Sequence, residues 1–351
     1  MSNTVRGYAA TAPEAKLAPF QFTRRDPRPD DVMIEILYCG VCHSDLHMAH
    51  NDWGHTRYPL VPGHEIIGRV TGVGSAVTRY QAGDIVGVGC LVDSCGHCAP
   101  CAAGEEQYCL ERPTPTYGGV DKQDGQPTYG GYSERIVTSE KFVVRVPANL
   151  DPKSAAPLLC AGITTYSPLR RWQVGPGQQV AVVGLGGLGH MGLKFAKAMG
   201  AEVTLVTRSP GKEQEARRLG ADHVLISSDR QQMGAALGRF DFILDTIPNQ
   251  HDINPYVATL RLDGTLVLVG LIGPIDPPVH SGALIGGRRA IAGSCIGGIA
   301  ETQEMLDFCA AKGINCDVEM IAIQDINNAY ERLEKSDVRY RFVIDLASLK
   351  G

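Results

Sequence analysis

A chain of 351 residues is longer than one typical hydrophobic core supports, so two lobes are expected. Its 44% hydrophobic and 20% charged residues are ordinary for a globular protein, and a formal charge of −5 supplies no basic face for nucleic acid. In chain order, residues 1–17 carry no apolar block behind a basic start, so no secretory leader is expected. Residues 32–36 and 68–73 alternate as strands do, and 82–88 start from a turn. The stretch 93–131 is irregular and rich in glycine and proline. Residues 1–155 therefore read as a β-rich lobe with a metal-stapled loop at about 93–112. Beyond Pro157, apolar runs at 179–183, 203–206, 223–226, 240–244 and 266–269 are separated by helical or turn segments, most clearly at 188–199 and 213–219. That rhythm predicts a parallel, doubly wound sheet over 156–296. The uncharged stretch 180–193 is broken by glycines and His190 and closed by Lys194, short of the ~20 residues of a membrane span. Helical patterns at 301–312 and 326–335 and a strand at 340–345 then return the chain, as 297–351, to the first lobe.

Three motifs carry chemistry. Cys95, Cys98, Cys101 and Cys109 follow C-x2-C-x2-C-x7-C spacing. Four thiolates this close surround one tetrahedral zinc and leave no open position, which makes a structural site. Iron–sulfur motifs share the first three cysteines but put the fourth three residues on, before proline, whereas Leu110 follows Cys109 here. With no leader, a cytoplasmic address follows by default, and there the eleven cysteines stay reduced and available to metal. The second motif is dispersed: Cys42 and His64, each unremarkable alone, acquire a third soft candidate in Cys160. Two thiolates and one imidazole leave the fourth zinc position for water or substrate, the arrangement of catalytic sites. The third is the turn Gly184-Leu185-Gly186-Gly187-Leu188-Gly189, with an apolar strand before it and a helix after it, as dinucleotide binding requires. About 20 residues past such a turn an NAD site places an acid on the ribose. Here the second strand ends Thr207-Arg208-Ser209-Pro210-Gly211-Lys212, hydroxyls and cations suited to a 2′-phosphate, which points to NADP(H).

Together these residues resemble the zinc-containing medium-chain alcohol dehydrogenases, in the branch of cinnamyl alcohol dehydrogenases and bacterial NADPH-dependent aldehyde reductases. The likeness spans essentially the whole chain. It rests on Cys-Gly-Val-Cys-His-Ser-Asp at 39–45, Val-Pro-Gly-His-Glu at 61–65, the four-cysteine loop, Leu-Leu-Cys-Ala-Gly-Ile-Thr-Thr-Tyr at 158–166, the glycine turn, and Gly-Ser-Cys-Ile-Gly-Gly at 293–298. It implies an α/β protein with a GroES-like catalytic domain, a Rossmann domain and two zinc ions per chain. Cys42, His64 and Cys160 would hold the catalytic zinc, with Glu65 a conditional ligand and Asp45 orienting the histidine. Ser44 and His47 would relay the proton, and His43 would sit beside the cofactor phosphates. Thr164, Thr246, Gly270, Ser294, Cys295 and Ile296 join the cofactor contacts, and Thr207, Arg208, Ser209 and Lys212 the 2′-phosphate end. Arg208 and Pro210 depart from the small or acidic residues of the plant enzymes. Trp53, Leu91, Tyr117 and Ile296 are candidates for the substrate pocket. The family also implies a homodimer formed through a strand near 280–295.

The implied reaction is reversible hydride transfer between NADP(H) and a primary alcohol or aldehyde, whether aromatic, allylic or aliphatic. A zinc-free quinone or enone reductase on the same fold, and a non-enzymatic NADPH-binding protein, are the rival readings. The joint presence of Cys42, His64 and Cys160 speaks against the first, and the intact relay against the second.

Overall fold

The computed structural model describes residues 3–350. β1 (Thr4–Ala9) and β2 (Ala18–Thr23) form an antiparallel pair. In β3 (Asp31–Gly40) alternation does the sorting: Val32, Ile34 and Ile36 turn into the core while Met33 and Glu35 stay half-exposed. β4 (Ile66–Val73) and β5 (Ile85–Val88) continue antiparallel from it, and β6 (Leu91–Asp93) pairs with β7 (Thr114–Pro115) on either side of the cysteine loop. β8 (Arg135–Ser139) also pairs with β3, and β9 (Val144–Arg145) closes on β5.

The next strands run parallel, as the apolar runs predict. They are β10 (Gln179–Val183), β11 (Glu202–Thr207), β12 (His223–Ile226), β13 (Phe240–Asp245), β14 (Leu260–Leu268) and β15 (Ala290–Gly293). The central ones, β10, β11 and β13, are buried on both faces. Their order, β12-β11-β10-β13-β14-β15, reverses direction between β10 and β13, the switch point where such sheets bind nucleotides. The chain returns through the helices Ile299–Lys312 and Ile326–Glu334 to β16 (Val318–Ala322) and β17 (Arg341–Asp345). β17 pairs antiparallel with β3, completing a seven-stranded sheet.

Two compact units result. One runs to Cys160 and resumes at Gly297; the other is Ala161–Ile296. The changeover falls between Cys160 and Ala161, later than residue 155, so Cys160 stays with the unit that carries Cys42 and His64. The first unit's core joins Ile34, Ile66, Tyr132, Phe342 and Ile344, and the second is built on Ala181, Val183, Phe240 and Ile243. No helix of the described residues is long and apolar enough to cross a membrane.

Candidate active site

β3 delivers Cys42 to the start of the helix His43–His50, where Asp45 occupies the third helical position. Asp45 is fully buried and accepts from the Cys42 N–H at 2.9 Å, the Gly63 N–H at 3.1 Å and the Tyr132 hydroxyl at 3.1 Å. Its remaining neighbour is His64 Nδ1 at 3.3 Å. One carboxylate thereby caps the helix, pins the Pro-Gly-His loop and leaves Nε2 of His64 as the ring's donor atom. Burial opposes a charge on this imidazole, but Cys90 and Asp45 outweigh it and hold its proton affinity well above the ordinary value.

Donor atoms of Cys42, His64, Glu65 and Cys160 lie within 4.8 Å of one another, and all four residues are buried. Cys42 Sγ and Cys160 Sγ are 3.9 Å apart. A tetrahedron with Zn–S bonds of ~2.3 Å has an S···S edge of about 3.8 Å, so the spacing fits one zinc. The hydrogen bond from Cys160 holds the Cys42 thiol well below its ordinary pKa and pushes Cys160 up. Glu65 is fully buried: Oε1 accepts from Arg341 of β17, and Oε2 has no hydrogen-bond partner. Burial raises its carboxyl to about 7 against the pull of Arg341. A side chain at Gly40 would put its Cβ 1.9 Å from Glu65 Oε2, so only glycine lets the carboxylate pass β3.

The second cysteine set meets the same geometric test. Cys95, Cys98, Cys101 and Cys109 place their sulfurs within 4.8 Å of one another, with Cys95 and Cys101 3.8 Å apart. A cubane iron–sulfur cluster gives each thiolate a different iron and so spreads the sulfurs farther; this set fits a single ion. Backbone N–H groups of Cys95 and Cys98 point at Cys109 Sγ and Cys95 Sγ at 3.4 and 3.3 Å, stabilising thiolate charge.

In the other unit β10 ends at Val183, Gly184 with a φ of +91° makes the turn, and the helix Gly189–Ala198 follows. A Cβ on Gly189 would lie 2.1 Å from the Gly184 carbonyl oxygen, while one on Gly186 would meet nothing within 4 Å. The turn is thus tight underneath and open above, leaving room for a phosphate at a helix N-terminus. Thr207 ends β11 and accepts from the Ser209 N–H at 3.2 Å. Lys212 Nζ reaches back to the Leu185 carbonyl at 3.4 Å, placing its charge beside the glycine turn, and Arg208 is exposed.

The alcohol dehydrogenase GroES-like domain matches residues 28–148 and the zinc-binding dehydrogenase domain matches residues 187–311. An aldehyde reductase of Escherichia coli is 53% identical over 346 residues, 98% of each chain. This chain belongs to the zinc-binding alcohol dehydrogenase family. Among solved structures of the family, a cinnamyl alcohol dehydrogenase of Sorghum bicolor superposes with a TM-score of 0.94 at 48% identity over 98% of both chains. One from Helicobacter pylori, complexed with NADP(H), gives 0.92 at 41% identity over 99% of both. The oxidoreductase class, the GroES-like and Rossmann folds and the branch named from sequence are therefore as expected.

The remaining residues of this dehydrogenase distribute unevenly. Ser44 Oγ lies 3.7 Å from Cys42 Sγ, whereas His47 pairs with Asp52 at 2.7 Å and shares no hydrogen bond with Ser44. Burial lowers the pKa of His43. Tyr117 is buried and stacks on His64 at 5.6 Å; Trp53 is exposed and lies against His47 at 5.5 Å; Leu91 is buried at the start of β6. Thr164, Thr246, Gly270, Ser294, Cys295 and Ile296 belong to the nucleotide unit. Thr246 and Gly270 end up beside its switch point, the Thr246 hydroxyl donating to the Val183 carbonyl at 2.7 Å. Ser294 N–H donates to Leu268, Cys295 is exposed and Ile296 has a positive φ of 38°. Arg341, Tyr132 and Cys90 escaped sequence reasoning. Cys90 Sγ donates to the Leu159 carbonyl at 3.7 Å, next to Cys160, and its position in an eleven-cysteine chain was the only signal available.

Proposed function

We propose that this protein catalyses reversible, NADP(H)-linked interconversion of primary alcohols and aldehydes at the Cys42–His64–Cys160 centre. The observation that carries the reading is the open donor set: three soft ligands at zinc spacing, with Glu65 Oε2 buried beside them and unpartnered. When bound there, zinc would act as a Lewis acid on the substrate oxygen, and the nicotinamide would give or take the hydride. Asp45 fixes the ring of His64, and Arg341 balances Glu65, so the centre keeps its shape without substrate. Ser44 takes or returns the alcohol proton, and His47, supported by Asp52, passes it to solvent. Thr207, Arg208, Ser209 and Lys212 hold the 2′-phosphate, and Gly184 to Gly189 hold the pyrophosphate. Cys95, Cys98, Cys101 and Cys109 hold a structural zinc. Trp53, Leu91, Tyr117 and Ile296 line the pocket in this reading, and the catalytic domain, expected over 1–155 and 297–351, extends to Cys160 and so keeps all three ligands.

A homodimer through the free edge of β15 belongs to the same reading. Ile285 and Leu271, exposed at 79% and 70% on this unit, support it. So does a cytoplasmic location, where the thiolates stay reduced.

The test is purified, zinc-loaded protein with NADPH against aromatic, allylic and aliphatic aldehydes, followed at the nicotinamide absorbance. Oxidation of NADPH by at least one class is expected. No turnover with any of them, in protein shown to carry zinc, overturns the proposal.

A further inference from the structure

His251 lies in the loop that leaves β13, between Asp245 and the helix Asn254–Thr259. Both of its ring nitrogens face acceptors: Nε2 is 2.8 Å from Asp245 Oδ2 and Nδ1 is 2.8 Å from the Asn249 carbonyl. A carbonyl oxygen and a carboxylate cannot donate, so both contacts are hydrogen bonds only when both nitrogens carry protons. A neutral ring turns one lone pair onto an acceptor and loses that bond. The geometry therefore describes an imidazolium on a buried carboxylate, Asp245 being 1% exposed.

That pair sits under the glycine turn. Asp245 Oδ1 accepts from the Ile247 N–H at 3.1 Å. Thr246, between them, donates its N–H and its hydroxyl to Val183 at 3.1 and 2.7 Å. The Thr246 hydroxyl oxygen is 3.1 and 3.2 Å from where Cβ atoms on Gly184 and Gly189 would be. Ile247 O is 2.2 Å from the corresponding point on Gly270. The segment 245–251 is thus the floor of the turn, and the one side chain of His251 closes it into a ring by holding Asp245 at its start and Asn249 near its end.

We propose that His251 is a positioning residue that works in its protonated form, stapling the segment 245–251 under the glycine turn, so that dinucleotide binding is linked to the proton on His251. This rests on the reading of the turn as the dinucleotide site. The groups that face the ring are Asp245 from β13, Asp252 from the loop and Tyr256 from the following helix, its ring 5.9 Å away. Burial raises the Tyr256 pKa, against the lowering effects of Ser227 and the Arg208 charge. The hydrogen bond to Asp245 raises the imidazole's pKa above its ordinary 6.5, against the lowering effect of partial burial. With a folded value raised above the unfolded one, the staple is complete below about 6.5 and is lost as the pH rises through the folded value.

Fluorescence titration of the zinc-loaded protein with NADPH from pH 6 to 9 tests this in wild type, His251→Gln and His251→Lys. The 2′-phosphate of NADPH gains its second charge near pH 6 for all three alike. The wild-type Kd is expected to weaken at least about fivefold across the range relative to the glutamine variant. His251→Gln binds weakly throughout and loses that pH dependence, and His251→Lys, which keeps a cation, recovers affinity and holds it to pH 9. Parallel profiles for wild type and His251→Gln overturn the proposal, as does a His251 ring proton resonance that titrates at or below the ordinary value. If NADPH binds none of the proteins at any pH, the dinucleotide reading itself falls and takes the linkage with it; the ring titration then still reports separately whether the Asp245 pair exists.

Discussion

At the scale of single residues the site is governed by buried charges with assigned partners. Asp45 takes hydrogen bonds from the main chain and from Tyr132 and faces His64 at 3.3 Å, and Glu65 is answered from β17 by Arg341. Asp45→Asn should leave the fold intact while lowering affinity for the open-site zinc by about 10–100-fold, read by competition with a chelator, because the histidine loses its anionic partner. Arg341→Met should cost about 3 kcal/mol in a denaturant melt, since it strands Glu65 without a cation, and Arg341→Met with Glu65→Gln should recover part of that loss. An undiminished melt for the single variant would mean that the pair contributes nothing. Ser44→Ala should lower kcat by about 100-fold or more with zinc content and NADPH binding near wild type, and His47→Gln should cost less because water replaces a relay terminus. Cys42, Asp45, His64 and Glu65, which the structure brings together, could be picked out in sequence because the Cys42-His43-Ser44-Asp45 and His64-Glu65 runs are local, whereas Cys160 joins the cluster from a distant segment. Arg341 and Tyr132 could not, because they meet their partners across 276 and 87 positions of chain, and no window of sequence holds both ends.

At the scale of elements, the end of β11 is where we propose that cofactor choice is made. Thr207 stands where an NAD enzyme has an acid, and Lys212 folds back to the turn. Two charge-assisted contacts of roughly 1.5–3 kcal/mol each would favour NADPH over NADH by ~100-fold or more. Thr207→Asp should reverse part of that preference, and Lys212→Ala should raise the KM for NADPH and leave NADH almost unchanged; equal kcat/KM for the two cofactors in the wild type would show that this turn does not read the phosphate. The strands β10, β11 and β13 could be read directly because burial on both faces leaves a nearly uninterrupted apolar run. β14 was legible only over its second half, since Arg261, Asp263 and Gly264 break the run before it and the ladder shifts register beside Phe242. The helix Ala161–Arg171 escaped for the opposite reason. It is buried on nearly every side, so it shows no apolar stripe, and it contains Pro168.

At the scale of the whole molecule, two metal environments should be separable. Elemental analysis is expected to return two zinc ions per chain, with a chelator removing the Cys42–His64–Cys160 ion together with activity and the four-cysteine ion more slowly together with thermal stability. Sedimentation should give a dimer, and Ile285→Glu on the nucleotide unit should shift it toward monomer; a wild-type monomer would dismiss the β15 edge as an interface.

The pairing of β17 with β3, and of Arg341 with Glu65, also sets an order of events during synthesis. Every donor of the open centre has been made by residue 160, yet the strand beside them and the cation that settles Glu65 are made some 180 residues later, at 341–345. The nucleotide unit has all of its strands by Gly293 and can fold on a nascent chain while its neighbour waits. Ribosome-bound chains arrested before Tyr340 should therefore bind zinc at the four-cysteine loop but hold it weakly at Cys42, His64 and Cys160. Metallation at Cys42, His64 and Cys160 would then wait for β17, so the zinc proposed there is expected to be installed after the one in the four-cysteine loop.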